Sequence, residues 1–488
     1  MQILFKNLKP VLLIGLFLFG LSYAQETGFR NPLNPNGGAD PWLSYYEGNY
    51  YLTSTTWAST WYMRKSPTLA GLKTAEPVEI YYETEASRCC NFWAPEFHLL
   101  DGPNGKRWYF YYSAGTANTL DNQHTHVLES EGSDPMGPYH YKARIFDASH
   151  DTWAIDGSIL ELNSNLYFLF SAWEGSFQNL YIAPMENPWT INGSRVLIST
   201  PSYPWETQGG NTNEGPVALR HNGDTFIVFS ASSCATPDYK LGILKLVGDD
   251  PMIASNWEKH PEPIFERADE NAVFASGHNG FFTSPDGTET WIVYHANDST
   301  DRSCDGRRTT RAQKISWDDD GFPLLGVPVS SSTVIANPSG DTGSDPLPDV
   351  GRPEISYFES YGLEGSFLQH RNFVVSPGYS TSADAQFVIR PGLADENAIS
   401  IESINYPGYF LRQQQGQIFI SSDDRSDSFN DEATWYLRPG LADADAVSLE
   451  AYALPGSYIG KRFGITTLVK ASDLKTELEL EDATFFLK

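Results

Sequence analysis

Asn213-Glu214-Gly215-Pro216-Val217-Ala218-Leu219 places a lone carboxylate against Gly-Pro and an apolar run with the character of a buried strand. Arg220-His221-Asn222-Gly223-Asp224 then supplies turn residues and Thr225 to Ser230 a second strand, so the unit reads as a hairpin headed by an acid. An acid so placed is a candidate for chemistry. The decisive question is whether the unit recurs.

It does, four more times. Asp40-Pro41-Trp42-Leu43 leads through Glu47-Gly48-Asn49 to the strand Tyr50 to Thr55, and Glu96-Phe97-His98-Leu99-Leu100 leads through Gly102-Pro103-Asn104-Gly105 to Trp108 to Ser113. Asp156-Gly157-Ser158-Ile159-Leu160 and His278-Asn279-Gly280-Phe281-Phe282 head the remaining two hairpins. The leading positions 40, 96, 156, 214 and 278 are spaced 56, 60, 58 and 64 residues apart, which suits one four-stranded sheet per repeat. The expected architecture is an all-β, five-bladed propeller over 25–337. In a propeller the innermost strands line one channel, so Asp40, Glu96, Asp156, Glu214 and His278 are expected to form a ring.

Asn337 to Pro348, rich in Pro, Gly, Ser and Asp, then breaks all periodicity and marks a linker over 338–352. Beyond it a shorter repeat sets in. Phe358-Glu359-Ser360, Ile401-Glu402-Ser403 and Leu449-Glu450-Ala451 are 43 and 48 residues apart, and Arg390-Pro391-Gly392-Leu393-Ala394-Asp395 returns as Arg438 to Asp443. Three β-rich repeats over 353–488 predict a β-trefoil, a module appended for binding.

Composition narrows the partners. The 488 residues carry 33 basic and 61 acidic side chains, a net charge of -28, which repels phosphate backbones and anionic lipid. Nucleic acid and membranes are thereby poor partners, whereas a neutral polymer read by stacking and hydroxyl hydrogen bonds is compatible. Residues 1–24 have the three regions of a secretory signal: Lys6 and Lys9, the apolar run Val11 to Leu21, and Ser22-Tyr23-Ala24. That run is too short to span a bilayer. A secreted or periplasmic monomer is expected. Four cysteines, Cys89, Cys90, Cys234 and Cys304, fit an exporting context, with three connectivities open.

Two carboxylates across a pocket can cleave a glycosidic bond, one donating a proton to the leaving oxygen and the other activating water or attacking carbon. The donor must stay protonated near neutral pH and so needs desolvation or a neighbouring negative charge. Glu214 has the drier local sequence. Asp40, beside Trp42 as a sugar-stacking neighbour, suits an ionised base, and Asp156 could hold Glu214 protonated and orient it. Trp57, Trp61, Trp93 and Trp153 are further candidates for stacking on sugar faces, and Arg308 and Arg311 for bonding a hydroxyl or a pocket carboxylate. His278 reads either as a pocket residue or as a channel ligand for an ion. Asp318-Asp319-Asp320-Gly321 lacks the bidentate Glu of a calcium loop and is better read as a hairpin turn. His124 and His126 have no further ligands in range.

These residues carry a resemblance. Gly38-Ala39-Asp40-Pro41, Trp93-Ala94-Pro95-Glu96, Ile155-Asp156-Gly157-Ser158, Asn213-Glu214-Gly215-Pro216 and Gly277-His278-Asn279, in this order, make segment 31–335 similar to glycoside hydrolase family 43. The resemblance implies inverting hydrolysis of arabinose- or xylose-containing polysaccharides, with Asp40 as general base, Asp156 as the group that tunes and positions the acid, and Glu214 as general acid. Trp42, Trp93, Glu96, His278 and Arg308 are the expected substrate-binding residues; no cofactor is expected for the chemistry, and a structural calcium or sodium ion in the channel, at His278, is an open expectation. Segment 353–488 resembles the arabinofuranose-binding trefoil, carbohydrate-binding module family 42, which pairs a His with an Asp before the closing aromatic of each repeat. His370 and Asp384 match in the first repeat. Gln413 and Lys461 stand in for the His in the second and third, where Glu432 and Asp482 lie at the acidic position, so one intact pocket is implied. The expected activity is release of terminal α-L-arabinofuranose from arabinan or arabinoxylan, against β-xylosidase, endo-arabinanase or a non-hydrolytic sugar-binding protein.

Overall fold

The computed structural model describes residues 28–343 and 355–488, apart from 36, 302–303, 396, 445 and 463–464; the signal-like segment 1–24 lies outside them. The chain is all-β, with a five-bladed propeller followed by a β-trefoil.

Each blade is an antiparallel meander whose first strand is innermost: Trp42–Tyr46, Cys90–Gly102, Ala154–Leu162, Asn213–His221 and Phe274–Thr283. Side chains alternate across each blade, so neighbouring residues face opposite neighbours. Ile159 and Phe168 join the core shared with blade 2, while Leu160 and Leu169 join the core shared with blade 4. Five apolar clusters fill the five blade interfaces in this way.

The blades are less uniform than the repeat predicts. Blade 3 carries two short outer strands, Thr190–Ile191 and Val196–Ser199, and blade 5 has three strands. The N-terminal segment completes that last blade: Leu33 N–H donates to Thr310 O at 2.8 Å and Thr310 N–H to Asn34 O at 3.0 Å. The ring is thus closed by the segment that leads directly into Asp40. At the other end the chain stays on the propeller beyond 337, with Leu69 N–H donating to Asp341 Oδ2 at 2.8 Å and Ser339 N–H to Glu289 Oε2 at 2.9 Å. Asp318 to Gly321 forms the turn between Ser316–Trp317 and Pro323–Leu324, as read from sequence.

A feature of the inner strands corrects the expected ring. Each blade has a left-handed residue near the head of its inner strand, beside a register shift in blades 2 to 5: Asp40 (φ 48°), Ala94 (φ 47°), Asp156 (φ 57°), Gly215 (φ 55°) and His278 (φ 48°). These five residues are the equivalent positions, so Glu96 lies two residues after its blade's equivalent and Glu214 one before. The sequence repeat aligned the acids, whereas the bulge decides which residue turns toward the channel. Each left-handed residue has its N–H held by a side chain of the preceding blade. The acceptors are His295 Nδ1 for Asp40 (3.2 Å), Thr55 Oγ1 for Ala94 (2.9 Å), Ser113 Oγ for Asp156 (3.1 Å), Asp156 Oδ2 for Gly215 (2.9 Å) and Ser230 Oγ for His278 (2.8 Å).

The trefoil repeats three four-stranded units, and its core takes an aromatic from the closing strand of each, Phe387, Trp435 and Phe485. The repeated Glu has a structural task. Glu359, Glu402 and Glu450 accept the N–H of Gly365, Gly408 and Gly456 at 2.7, 2.8 and 2.7 Å. Their second oxygens accept from Lys488, Arg390 and Arg438 respectively, which accounts for the Arg of the repeated Arg-Pro-Gly.

Cys89 is joined to Cys90, and Cys234 to Cys304 across a separation of 70 residues. The second bond staples blade 4 to the loop of blade 5 that precedes Arg308. Chain-entropy arithmetic for a loop of that length gives roughly 4 kcal/mol. Cys234→Ser with Cys304→Ser should therefore lower the calorimetric Tm by several degrees, and reduction of the wild type should reproduce the loss; an unchanged Tm would show that the bond does not hold the ring.

Candidate active site

Asp40 sits 7% exposed at the start of blade 1 and is held from three sides. Arg308 Nη1 donates to Oδ1 at 2.8 Å and Thr55 Oγ1 to Oδ2 at 2.6 Å, while His278 Nδ1 and His295 Nδ1 lie 3.5 and 3.2 Å from Oδ1. Burial alone pushes this carboxyl up; Arg308, with the two imidazoles, overcomes it and holds Asp40 well below the usual carboxylate range. Burial keeps both histidines neutral, His295 pushed down to about 3, so Arg308 is the permanent cation on Asp40.

Asp156 and Glu214 are the opposite case. Asp156 is 5% exposed and spends one oxygen on the Gly215 N–H. Glu214 keeps an edge toward the mouth, receiving Tyr239 Oη–H on Oε1 at 2.8 Å and Gln178 Nε2–H on Oε2 at 2.9 Å. Burial, then the neighbouring charges of Glu214 and Asp40, push Asp156 well above the carboxylate range, and burial also raises Glu214. Two buried like charges do not both ionise, so this pair retains a proton near neutrality. Glu96, also raised by burial, is bonded to His98 Nε2 at 2.8 Å. One ionised carboxylate and one protonated pair thus face a common channel. Such a set can activate water on one side and protonate a leaving oxygen on the other.

The other expected residues divide. Trp93 and Trp57 stand edge to face, 5.5 Å apart, with both indole N–H groups buried and unpartnered; Trp57 also lies 6.0 Å from the Arg308 guanidinium. They form an aromatic wall beside Asp40. Trp42 is a correction: its indole N–H donates to Phe97 O at 3.0 Å and its ring packs in the core of blades 1 and 2. Trp61 is likewise core, stacked on Phe92, whereas Trp153 pairs with the exposed Trp173. Arg311 is fully buried against Asp298 and Thr309. Tyr239, Gln178, Thr55 and His295 were not picked from sequence, since each reaches the site from a strand or loop whose local pattern is ordinary.

The ion expected at His278 does not fit on protein ligands. Calcium takes six to eight oxygens, and His278 offers one nitrogen, close to Asp40 and Gly215. Among the described residues no three His, Cys, Asp or Glu side chains gather around a metal-sized gap.

In the trefoil His370 and Asp384 come together, 3.6 Å apart, through a residue the sequence reading missed. Asn405, from the second repeat, meets His370 Nε2 with Oδ1 at 3.0 Å and donates Nδ2–H to Asp384 Oδ1 at 2.8 Å, while the Tyr406 ring stands over His370. The other repeats differ chemically. Arg412 engages Glu432 at 2.6 Å beside buried Gln413, and buried Lys461 has an amine without a hydrogen-bond partner, pushed down to about 8 by burial.

Comparison with known proteins agrees with this division. Residues 29–323 match glycosyl hydrolases family 43, and residues 356–487 match the α-L-arabinofuranosidase B (ABFB) domain. An extracellular exo-α-(1→5)-L-arabinofuranosidase of Streptomyces avermitilis is 33% identical over 94% of this chain and 92% of its own length. An α-L-arabinofuranosidase 43 of Humicola insolens is 31% identical over 78% of each chain. Among solved structures, an α-L-arabinofuranosidase from Lactobacillus brevis superposes with a TM-score of 0.58 at 31% identity, covering 62% of this chain and 98% of that one. With the family match running through all five blades and a full-length relative sharing both modules, the chain belongs to glycosyl hydrolases family 43.

Proposed function

We propose that the protein releases terminal α-L-arabinofuranose from arabinan or arabinoxylan with inversion at the anomeric carbon. The observation that carries this reading is the opposed surroundings of the carboxyls: Arg308 bonded to Asp40, and neutral donors alone on the buried Asp156 and Glu214, which favour an ionised Asp40 and a proton kept on the pair. Glu214, with its edge to the mouth, gives that proton to the glycosidic oxygen as the bond to C1 breaks. Asp40 takes a proton from the attacking water, whose oxygen bonds to C1. Asp156 is the positioning residue: it accepts the Gly215 N–H and shares with Glu214 the proton that the buried pair retains. The Trp57–Trp93 wall, Glu96, His278 and Arg308 bound the sugar site. The arabinofuranosidase names of the relatives support the choice of sugar, as does the His370–Asp384–Asn405 pocket, which we assign to an arabinofuranose side chain. Export through the segment 1–24 accords with the extracellular relative.

Three outcomes test the assignment. Glu214→Gln and Asp40→Asn should each lower kcat on 4-nitrophenyl α-L-arabinofuranoside by about 10²–10⁴-fold, and wild-type release in proton NMR should give the β-anomer first. An α-anomer first would make Asp40 a nucleophile. The kcat/KM profile should extend far into acid, failing only as Asp40 protonates, and fail on the alkaline side as the raised pair loses its proton. Glu214→Gln should abolish the alkaline limb.

The same shifts predict a trade of stability for function. The folded Asp156 holds its proton to higher pH than the unfolded chain, whose aspartates titrate near about 3.9. Stability is therefore lost as pH rises between the two values. Asp156→Asn, which can still accept the Gly215 N–H, should raise Tm above wild type at pH 7, the gap closing toward pH 4, and should be nearly inactive. A lower Tm at pH 7 would contradict the buried-repulsion account. For the trefoil, Asn405→Ala should lose retention on insoluble arabinoxylan as fully as His370→Ala does; retention at wild-type strength would remove Asn405 from the pocket.

A further inference from the structure

The second trefoil repeat meets the propeller where the strands carrying Asp40 and Arg308 come together. Gly37 N–H donates to Gly306 O at 2.9 Å and Gly38 N–H to Arg308 O at 2.8 Å, so the approaches to the carboxylate and to its cation form one two-stranded strip. The ring of Pro407 lies over that strip. A Cβ on Gly306 would fall 2.5 Å from Pro407 Cδ, and one on Gly37 would lie 3.9 Å from Pro407 Cγ. Gly306 N–H also donates to Asn405 O at 3.3 Å. On the other flank Gly408 approaches Ala58, the residue after Trp57. A remote clamp fixes this contact. Arg425 stacks on Tyr82 at 4.1 Å, bonds Thr60 Oγ1 at 3.1 Å and engages both oxygens of Glu79, and Tyr82 Oη–H donates to Asp424 O at 3.4 Å.

We propose that the trefoil loop Asn405–Gly408 is a positioning element of the active site, holding Arg308 against Asp40, in addition to anchoring the enzyme on polymer. The inference rests on Asp40 acting as base in the function proposed above. Arg308 has few other holds: its Nε–H donates to Asp305 O at 3.2 Å within its own loop. The Pro407 ring and the Asn405 carbonyl thus add to the holds on this loop from the Cys234–Cys304 bond and from Gly37 and Gly38, and they are the ones that come from the trefoil. The same Asn405 joins His370 to Asp384, so one residue borders both the sugar pocket of the trefoil and the loop of the cation. The groups facing Asp40 are Arg308, His278 and His295, with Asp156, Glu214 and Tyr239 also close enough to feel its charge. Arg308 alone among them is a fixed cation, so loosening it moves the titration of Asp40 upward.

Pro407→Gly and Arg425→Ala test this in the full chain, with Leu478→Ser, on an exposed turn of the third repeat, as control. On soluble 4-nitrophenyl α-L-arabinofuranoside, which needs no anchoring, both variants should lose about threefold or more in kcat with little change in KM. Their acid limb of kcat/KM should move up by about 0.3 pH units or more, while the control matches wild type. Hydrogen–deuterium exchange of the 305–311 peptide should be faster in both. A variant with wild-type melting, kcat, acid limb and exchange, and impaired only on insoluble polymer, would overturn the inference and leave the trefoil an anchor. The exchange readout needs no substrate: unchanged protection of 305–311 overturns the inference whatever sugar the enzyme cleaves, and loss of the arabinofuranoside activity in wild type would instead overturn the proposed function.

Discussion

The propeller depends on one repeated interaction, the N–H of a left-handed residue at the head of each inner strand, held by a side chain of the blade before. A non-glycine residue in that region costs on the order of 1 kcal/mol, and Asp40, Ala94, Asp156 and His278 all adopt it. A buried hydrogen bond returns a similar amount, so the bulges persist because the neighbouring blade holds them. The consequence is geometric. An inner strand that ran straight would send its side chains alternately into the two blade interfaces; the left-handed residue breaks that alternation near the head of each blade, where Asp40, Asp156, His278 and, one residue before Gly215, Glu214 sit. Four of the five acceptors are neutral groups, His295, Thr55, Ser113 and Ser230; the fifth is the carboxylate of Asp156. At that blade the scaffold bond and the chemistry use the same atom, which fixes Asp156 relative to the backbone of the residue after Glu214.

Electrostatics then separate carboxyls that burial alone would treat alike. Asp40, Asp156 and Glu96 are comparably buried, yet a single guanidinium decides which one ionises. Asp156 and Glu214 receive neutral donors only, from a backbone amide, a phenol and a carboxamide, which orient the carboxyls without neutralising them. Replacing either neutral donor with a cation would pull the pair down and discharge the acid. The neutrality of Gln178 and Tyr239 is therefore as much a part of the site as the carboxyls they touch.

The hairpins, the five-fold repeat and the trefoil were legible because turn chemistry and strand alternation are local signals. The ring was legible only approximately. Hairpin signals bracket a strand without counting the extra residue of a bulge, so the repeat aligns Glu96 and Glu214 with Asp40, whereas in the fold Ala94 and Gly215 are its equivalents. Trp42 is a core residue because its indole finds the Phe97 carbonyl and the apolar packing of the neighbouring blade, which no local signal reveals. Thr55, Gln178, Tyr239 and Asn405 could not be read at all, because what makes them functional is a partner on another strand, another blade or another repeat. Arg308 was visible as a candidate, but its partner lies 268 residues away.

The two modules solve the relation between scaffold and site in opposite ways. In the trefoil the Glu–Gly bond recurs in all three repeats, while the position of His370 becomes Gln413 and then Lys461. Its scaffold carboxylates are separate residues from its pocket residues, so a pocket can change without disturbing the fold. In the propeller Asp156 serves both ends, and only a replacement that still accepts the Gly215 N–H leaves the scaffold bond in place. Divergence is therefore cheap in the trefoil and constrained in the propeller. The pocket that keeps His, Asp and Asn together is the one whose Asn405 borders the propeller, where a change in the loop would also be felt at Arg308. Physical contact with the catalytic module, through the Asn405 of the second repeat that completes the pocket of the first, distinguishes that pocket from the other two.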